Sequence, residues 1–189
     1  MVRLDPALCI FGALLLLTLP LNWLAAAVTA AAIHEACHIL ILHCQGNRIR
    51  HLTIGIGGAK LQTDFASRKQ ELLCALAGPV GSLCLLSLHG IFPRLALCGA
   101  VQGLYNLLPL YPLDGGRILA CVLAIWLPGR AEIIIPWVRR IAFGVLLALS
   151  VAGSIAFSLG IWPVLVWILL ICKAFRRKIP CKPRRIGVQ

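Results

Sequence analysis

The sequence has few charged residues, and acidic residues are especially scarce. Charged side chains make up 13% of the 189 residues, with 6 Asp and Glu against 18 Lys and Arg. Hydrophobic residues make up 60%, and the mean hydropathy is +0.94. This composition excludes an ordinary soluble domain and predicts a polytopic membrane protein. The net charge of +12 is interpreted as membrane topology and attraction to anionic lipid, so no nucleic acid partner is expected.

Cysteine pairs with the spacing of a metal or redox motif are also lacking. The nine cysteines are scattered and odd in number, and no two are separated by two residues. Most stand in apolar segments, where a free cysteine behaves as a small hydrophobic residue. The pattern therefore argues against both a disulfide framework and a cysteine zinc site.

Six apolar segments are long enough to suggest membrane helices. They cover residues 7–19, 22–43, 72–89, a run from about residue 95 that is interrupted by Pro109 and Pro112, 141–158 and 161–174. We therefore expect an all-α polytopic membrane protein of about six transmembrane helices. Residues 1–175 are expected to form a single membrane domain, and residues 176–189 a basic cytoplasmic tail.

The segment at about residues 48–64, between the second and third helices, has a different composition. It alternates in character and is rich in Gly, Thr and Ile, which predicts a β-like segment of short strands around a glycine turn at the membrane face. Its edge could pair with an extended peptide by strand addition. A plain interfacial hairpin explains the pattern equally well.

Charge placement predicts the orientation of the helices. With six crossings and both termini in the cytoplasm, every Lys and Arg except Arg94 falls on the cytoplasmic side. This asymmetry is the positive-inside pattern of membrane proteins. The expected location is a bacterial cell membrane, with several passes through the bilayer.

A His34-Glu35-Ala36-Cys37-His38 motif lies inside the second apolar segment. Two imidazoles and a carboxylate are costly there, since an ionised side chain at a helix centre costs about 2.5–3.5 kcal/mol on insertion scales. Residues i and i+4 share a helix face, so the two histidines can bind one metal ion, with Glu35 beside them as a general base. The alternative is a pair of packed, hydrogen-bonded histidines with an incidental glutamate.

Asp114 is the other acidic residue expected at membrane depth. The remaining acids fall at loops or segment ends, where water can solvate them: Asp5, Asp64, Glu71 and Glu132. Asp114 follows two prolines that break a helix and precedes two glycines that permit close backbone approach. With the predicted topology, Asp114 and the histidine motif reach a similar depth on the cytoplasmic side. A catalytic zinc needs three protein ligands, and two histidines leave it one short.

The two motifs together resemble the site-2 protease family of intramembrane zinc metalloproteases. The resemblance is carried by the histidine motif, by Asn-x-x-Pro-x-x-x-Leu-Asp-Gly from Asn106 to Gly115, by Gly57-Gly58 and by Ala77-Gly78-Pro79. It covers residues 33–117 strongly and the flanking segments only by hydropathy. The sequence is similar in particular to the compact sporulation-type branch, which processes a membrane-tethered pro-sigma factor.

The resemblance implies a function and a role for each site residue. The domain would be a zinc metalloendopeptidase with Zn2+ as cofactor, His34, His38 and Asp114 as ligands, and Glu35 as the general base. Asn106 would position the substrate or stabilise its oxyanion, although an interhelical hydrogen bond also explains this residue. The implied partners are a membrane-tethered protein substrate, the lipid bilayer and regulatory membrane proteins.

The sequence departs from the family at Cys37, where relatives commonly have glycine. A thiol beside a ligand could contact the metal, but simple packing is the favoured interpretation. Two other functions use the same residues. One is a metal transporter or sensor, which predicts a polar path through the helices, and the other is an inactive scaffold, which intact His34, Glu35, His38 and Asp114 argue against.

Overall fold

The computed structural model describes residues 2–4, 20–47, 49–55, 58–63, 65, 67–111 and 113–156. The first and sixth predicted membrane helices and the basic tail lie outside these residues. Within them, three helical segments are long and apolar enough to cross a membrane: Leu21–Cys44, Arg68–Leu88 and Ala131–Ala156. The protein is therefore a membrane protein, while six crossings and the orientation stay predictions.

Helix α1 spans Leu21–Cys44 and carries the histidine motif, as predicted for the second apolar segment. It begins after Pro20, because the proline ring would clash with the preceding turn of a helix that extended further toward the N-terminus. It ends at Gln45 and Gly46, and Gly46 has a φ of 69° that favours glycine. Only four of its 24 residues are buried, and two of them are His34 and His38.

Helix α2 spans Arg68–Cys84 and continues as a 3-10 turn over Leu85–Leu88. The Ser67 side chain accepts a hydrogen bond from the Gln70 backbone N–H, which caps the start of the helix. The helix begins four residues before the predicted boundary because this cap and a first-turn ion pair between Arg68 and Glu71 extend it beyond the apolar run.

The predicted fourth segment is two short helices rather than one interrupted span. Helix α3 covers Pro93–Asn106 and helix α4 covers Asp114–Trp126. At 1.5 Å per residue each is about 20 Å long, short of the roughly 30 Å hydrocarbon core. Pro109 lacks a backbone N–H and so ends the helical ladder between them. Asp114 consequently starts a new helix and does not belong to the helix before the prolines.

The strands that the structure describes form one three-stranded sheet, in the order β1-β2-β3. Strand β1 covers Val2–Leu4 and pairs in parallel with β2, which covers Ile49–Gly55. Strand β3 covers Gly58–Thr63 and pairs antiparallel with β2, in a register that places Gly55 opposite Gly58. Strands β2 and β3 lie inside the segment 48–64, where the sequence indicated strands around a glycine turn. Its position at the membrane face stays a prediction, and β1 was not predicted.

Helix α5 spans Ala131–Ala156 and belongs to a second compact unit that begins at Pro128, whereas the other elements lie in the first unit. It starts ten residues before the predicted boundary at residue 141. The apolar residues before Arg139 continue the helix, and the Arg140 guanidinium lies 5.3 Å from the centre of the Trp137 ring. The prediction started the span after the two arginines because it followed hydropathy alone.

Two glycines of α3 allow it to pack closely on α2. A Cβ atom at Gly99 would lie 2.7 Å from the Ser82 carbonyl oxygen, and one at Gly103 would lie 3.2 Å from the Pro79 carbonyl oxygen. Gly99 and Gly103 form the small-xxx-small pattern that lets membrane helices approach each other. In this chain the pattern brings α3 against α2.

Gly99→Ala is expected to lower the free energy of unfolding by about 1–3 kcal/mol, because its methyl group overpacks the backbone of α2. Gly144→Ala is the matched control, since a Cβ there meets nothing within 4 Å. This control should leave stability unchanged or slightly raised. Unfolding by a denaturing detergent measures both variants, and equal effects would contradict the packing role of Gly99.

Candidate metal centre

Three buried side chains from α1 and α4 converge on one point. His34 Nε2 and His38 Nε2 each lie 3.1 Å from Asp114 Oδ2, and the two nitrogens lie 3.3 Å apart. The exposed fractions of His34, His38 and Asp114 are 3%, 4% and 8%. The structure thus brings together the three residues that the sequence proposed as metal ligands. The helical period accounts for the two histidines, which lie one turn apart on the same face.

The outer nitrogens of both imidazoles are held by α2. His38 Nδ1 donates to the Cys74 carbonyl oxygen at 2.7 Å, and His34 Nδ1 is hydrogen-bonded to Ser82 Oγ at 2.8 Å. Since a carbonyl only accepts, His38 must carry its hydrogen on Nδ1, which directs the Nε2 lone pair toward Asp114. Metal-binding histidines are usually oriented in this way by a second hydrogen bond.

The separations of the three donor atoms fit a zinc ion. Ligand atoms about 2.0–2.1 Å from a tetrahedral zinc lie roughly 3.3 Å apart, close to the 3.1–3.3 Å found here. Two imidazole nitrogens and a carboxylate oxygen are a donor set that zinc accepts in catalytic sites. A proton or a cation must lie among three such acceptor atoms, because their lone pairs otherwise repel one another. The cluster therefore fits Zn2+ in both chemistry and size.

Gly78 of α2 closes one side of the cluster with backbone alone. A Cβ atom at this position would lie 2.7 Å from His34 Nε2 and still closer to His38 Nε2. Any other residue would thus place a carbon where the ligand atoms converge. The sequence marked Gly78 as part of the family motif, but its steric role emerges only when α2 is packed on α1.

The connection 107–113 and the first turn of α4 position Asp114. Its carboxylate stands at a helix N-terminus, where the helix dipole favours negative charge. Gly115 and Gly116 let the connection fold against this turn, since a Cβ at Gly116 would lie 2.6 Å from the Tyr111 nitrogen. Arg117 Nη1 lies 3.8 Å from Asp114 Oδ1. Arg117 therefore interacts with the carboxylate oxygen that faces away from the histidines.

The structure also describes three other residues that the sequence singled out, namely Glu35, Asn106 and Cys37. Glu35 is half-buried on α1, next to His34. The Asn106 side-chain amide donates to the Gln102 carbonyl oxygen at 3.1 Å, so it is engaged within its own helix. Cys37 packs on Gly81 of α2, where a Cβ would collide with its sulfur. This contact agrees with a packing role for Cys37.

Ser82 and the Cys74 carbonyl are site groups that sequence reasoning missed. Ser82 could have been noticed in the sequence, since it is a polar residue in an apolar helix one turn after Gly78. The Cys74 carbonyl could not, because every residue has a backbone oxygen. Only the packing of α2 against α1 identifies which oxygen meets His38.

Comparison with known proteins supports a zinc metalloprotease family. The chain is 28% identical over 110 residues to a zinc metalloprotease of Methanocaldococcus jannaschii, covering 50% of this chain. It is 29% identical over 122 residues to a protein of Synechocystis named as a candidate zinc metalloprotease, covering 53% of this chain. These matches cover 32% of each relative, so the chain spans about a third of their length. No family model matches the sequence.

The structure has the fold of a site-2 protease. It is similar to the site-2 protease from Methanocaldococcus jannaschii with a TM-score of 0.60, over 96% of this chain and 93% of that one, at 20% sequence identity. The family resemblance noted from the motifs is thus supported by relatives and by fold. Zn2+ is the metal that the His-His-Asp cluster and these relatives indicate.

Proposed function

We propose that the protein is an intramembrane zinc metalloendopeptidase that hydrolyses a peptide bond in a membrane-tethered protein. The main support for this proposal is the buried cluster of His34, His38 and Asp114 inside an apolar helical protein. Three ligands leave one position of a tetrahedral zinc for water or substrate, which is the arrangement of a catalytic site rather than a structural one.

The residues divide the chemistry among them. His34, His38 and Asp114 hold the ion, which when bound polarises the scissile carbonyl and lowers the pKa of water. Glu35, adjacent to His34, takes the proton from the attacking water and delivers it to the leaving amine. Burial of the cluster excludes bulk water, which strengthens these electrostatic interactions.

The peptide must be extended when it is cleaved, because a helix hides its carbonyl groups within its own hydrogen bonds. In the part of the sheet that the structure describes, β3 pairs with β2 on one side only. Its other edge could hold an unwound substrate segment by strand addition. We propose this edge as the substrate-binding element.

The proposed orientation places the termini and the metal centre on the cytoplasmic side of a bacterial membrane. It follows from the distribution of Lys and Arg, which leaves only Arg94 outside. The released product is then a cytoplasmic domain. Likeness to the sporulation-type branch suggests a pro-sigma factor as substrate and membrane proteins as regulators.

Co-expression with a tagged, membrane-tethered pro-sigma factor tests the proposal. Wild type should release a cytoplasmic fragment, and Asp114→Ala should release none because it removes a proposed zinc ligand. A cut mapped by mass spectrometry to the membrane segment would support intramembrane hydrolysis. Failure with pro-sigma factors but cleavage of another tethered protein would reject only the substrate assignment. Zinc binding without cleavage of any tethered protein would favour a metal transporter or sensor.

Asn106→Ala is expected to reduce the rate of cleavage by about 10²–10³-fold without loss of zinc, if its amide stabilises the oxyanion. One N–H of the amide is donated to the Gln102 carbonyl oxygen, and this role would use the second N–H. Asn47→Ala is the control, since its amide bonds to Gln45 in the turn after α1. Equal turnover by Asn106→Ala and wild type would show that the amide has no part in turnover.

A further inference from the structure

We propose that Ser82 is a positioning residue of the zinc centre, which holds the His34 ring by its outer nitrogen and thereby sets the zinc affinity. The inference rests on the zinc site of the proposed function, but it does not require proteolysis. The main evidence is the 2.8 Å hydrogen bond between Ser82 Oγ and His34 Nδ1, which joins residues 48 positions apart.

Ser82 is fully buried, so its hydroxyl needs a hydrogen-bond partner inside the protein. Two features place the hydroxyl at His34. Ser82 stands one turn after Gly78, so both lie on the face of α2 that meets the metal cluster. On its other side, Gly99 of α3 packs against the Ser82 carbonyl oxygen, which fixes the backbone from which the hydroxyl projects.

The two histidines are supported in different ways. His38 donates to the backbone carbonyl of Cys74, a group that no substitution removes. His34 relies on a side chain, so its support can be deleted by a single change. When the Ser82 hydroxyl accepts from Nδ1, the hydrogen stays on that nitrogen and the Nε2 lone pair faces Asp114. Without the hydroxyl, the His34 ring is held only from its Nε2 side, and its Nδ1 hydrogen loses its acceptor.

Ser82→Ala tests this role in the purified full chain. Loss of an outer contact to a metal-binding histidine is expected to weaken zinc binding about 10–100-fold, measured by competition with a chelator. The absorption spectrum of the Co2+-loaded protein should also change, since it reports ligand geometry. Ser82→Thr keeps the hydroxyl and should restore most of the affinity.

Ser87→Ala is the matched control. Its hydroxyl donates to the Cys84 carbonyl oxygen at 2.8 Å in the exposed 3-10 turn, so the same atom is removed away from the cluster. This variant should bind zinc as wild type does. In a His34→Ala background, Ser82→Ala should cause no further loss of affinity, because its effect passes through the missing ring.

Three results would overturn the inference. The first is zinc affinity in Ser82→Ala equal to that of wild type. The second is an equal loss of affinity with and without His34, together with lower stability of the metal-free protein, which would make Ser82 a packing residue. The third is wild-type protein that binds no zinc, which would also remove the metal centre. Absence of proteolysis with the expected shift in affinity would reject only the protease function.

Discussion

Glu35→Gln is expected to abolish cleavage of a membrane-tethered substrate while zinc stays bound. Glutamine has nearly the same size as glutamate, so the packing of α1 and the three ligands should be retained. Its neutral amide cannot take a proton from water, and general acid–base catalysis typically contributes about 10²–10⁴-fold to a rate. Because the same carboxylate serves both proton transfers, we expect the loss at or above the upper end of this range.

Turnover and zinc content must be measured on the same preparation of Glu35→Gln. Glu132→Gln makes the same change at an acidic residue in the first turn of α5, and it should cleave at the wild-type rate. Retained activity in Glu35→Gln would reject the general-base role. Loss of zinc from this variant would instead assign Glu35 to the ligand set.

Gly78→Ala is expected to prevent zinc binding, and with it all cleavage. The added Cβ would lie 2.7 Å from His34 Nε2 and closer still to His38 Nε2, where the donor atoms converge. Real Cβ atoms do not approach other atoms so closely, and both neighbours here are held by hydrogen bonds to α2. We therefore expect zinc affinity to fall by more than the roughly 10–100-fold that loss of an outer contact costs.

Gly81→Ala controls for a general disturbance of α2. It adds the same methyl group one turn along the helix, against the Cys37 sulfur rather than the ligand nitrogens. This variant should keep zinc even if its stability falls. Wild-type zinc affinity in Gly78→Ala would show that α2 does not close the cluster as the structure has it.

The metal cluster could be predicted because its two histidines lie close together in the sequence and because acidic residues are rare in this chain. His34 and His38 are one helical turn apart, and Glu35 and Asp114 are the only acids expected away from water. The split between α3 and α4 was harder to see, because hydropathy continues across the connection 107–113. Pro109 and Pro112 marked the break in the sequence, but they did not reveal that Asp114 begins the next helix.

The groups of α2 that surround the three ligands are harder to predict from the sequence, because their roles depend on packing between distant segments. Gly78 and Ser82 acquire their roles only because α2 lies against α1 at one particular register. The pairing of β1 with β2 likewise joins residues about 50 positions apart, and a three-residue strand gives no periodic signal of its own.

X-ray absorption at the zinc edge of the purified protein shows whether His34, His38 and Asp114 bind zinc. We expect about one zinc per chain with only nitrogen and oxygen neighbours at about 2.0–2.1 Å, including the multiple-scattering signal of two imidazoles. His34→Ala should lose one of these imidazoles. A sulfur neighbour at about 2.3 Å would place a cysteine in the site, and protein without bound zinc would contradict the metal centre altogether.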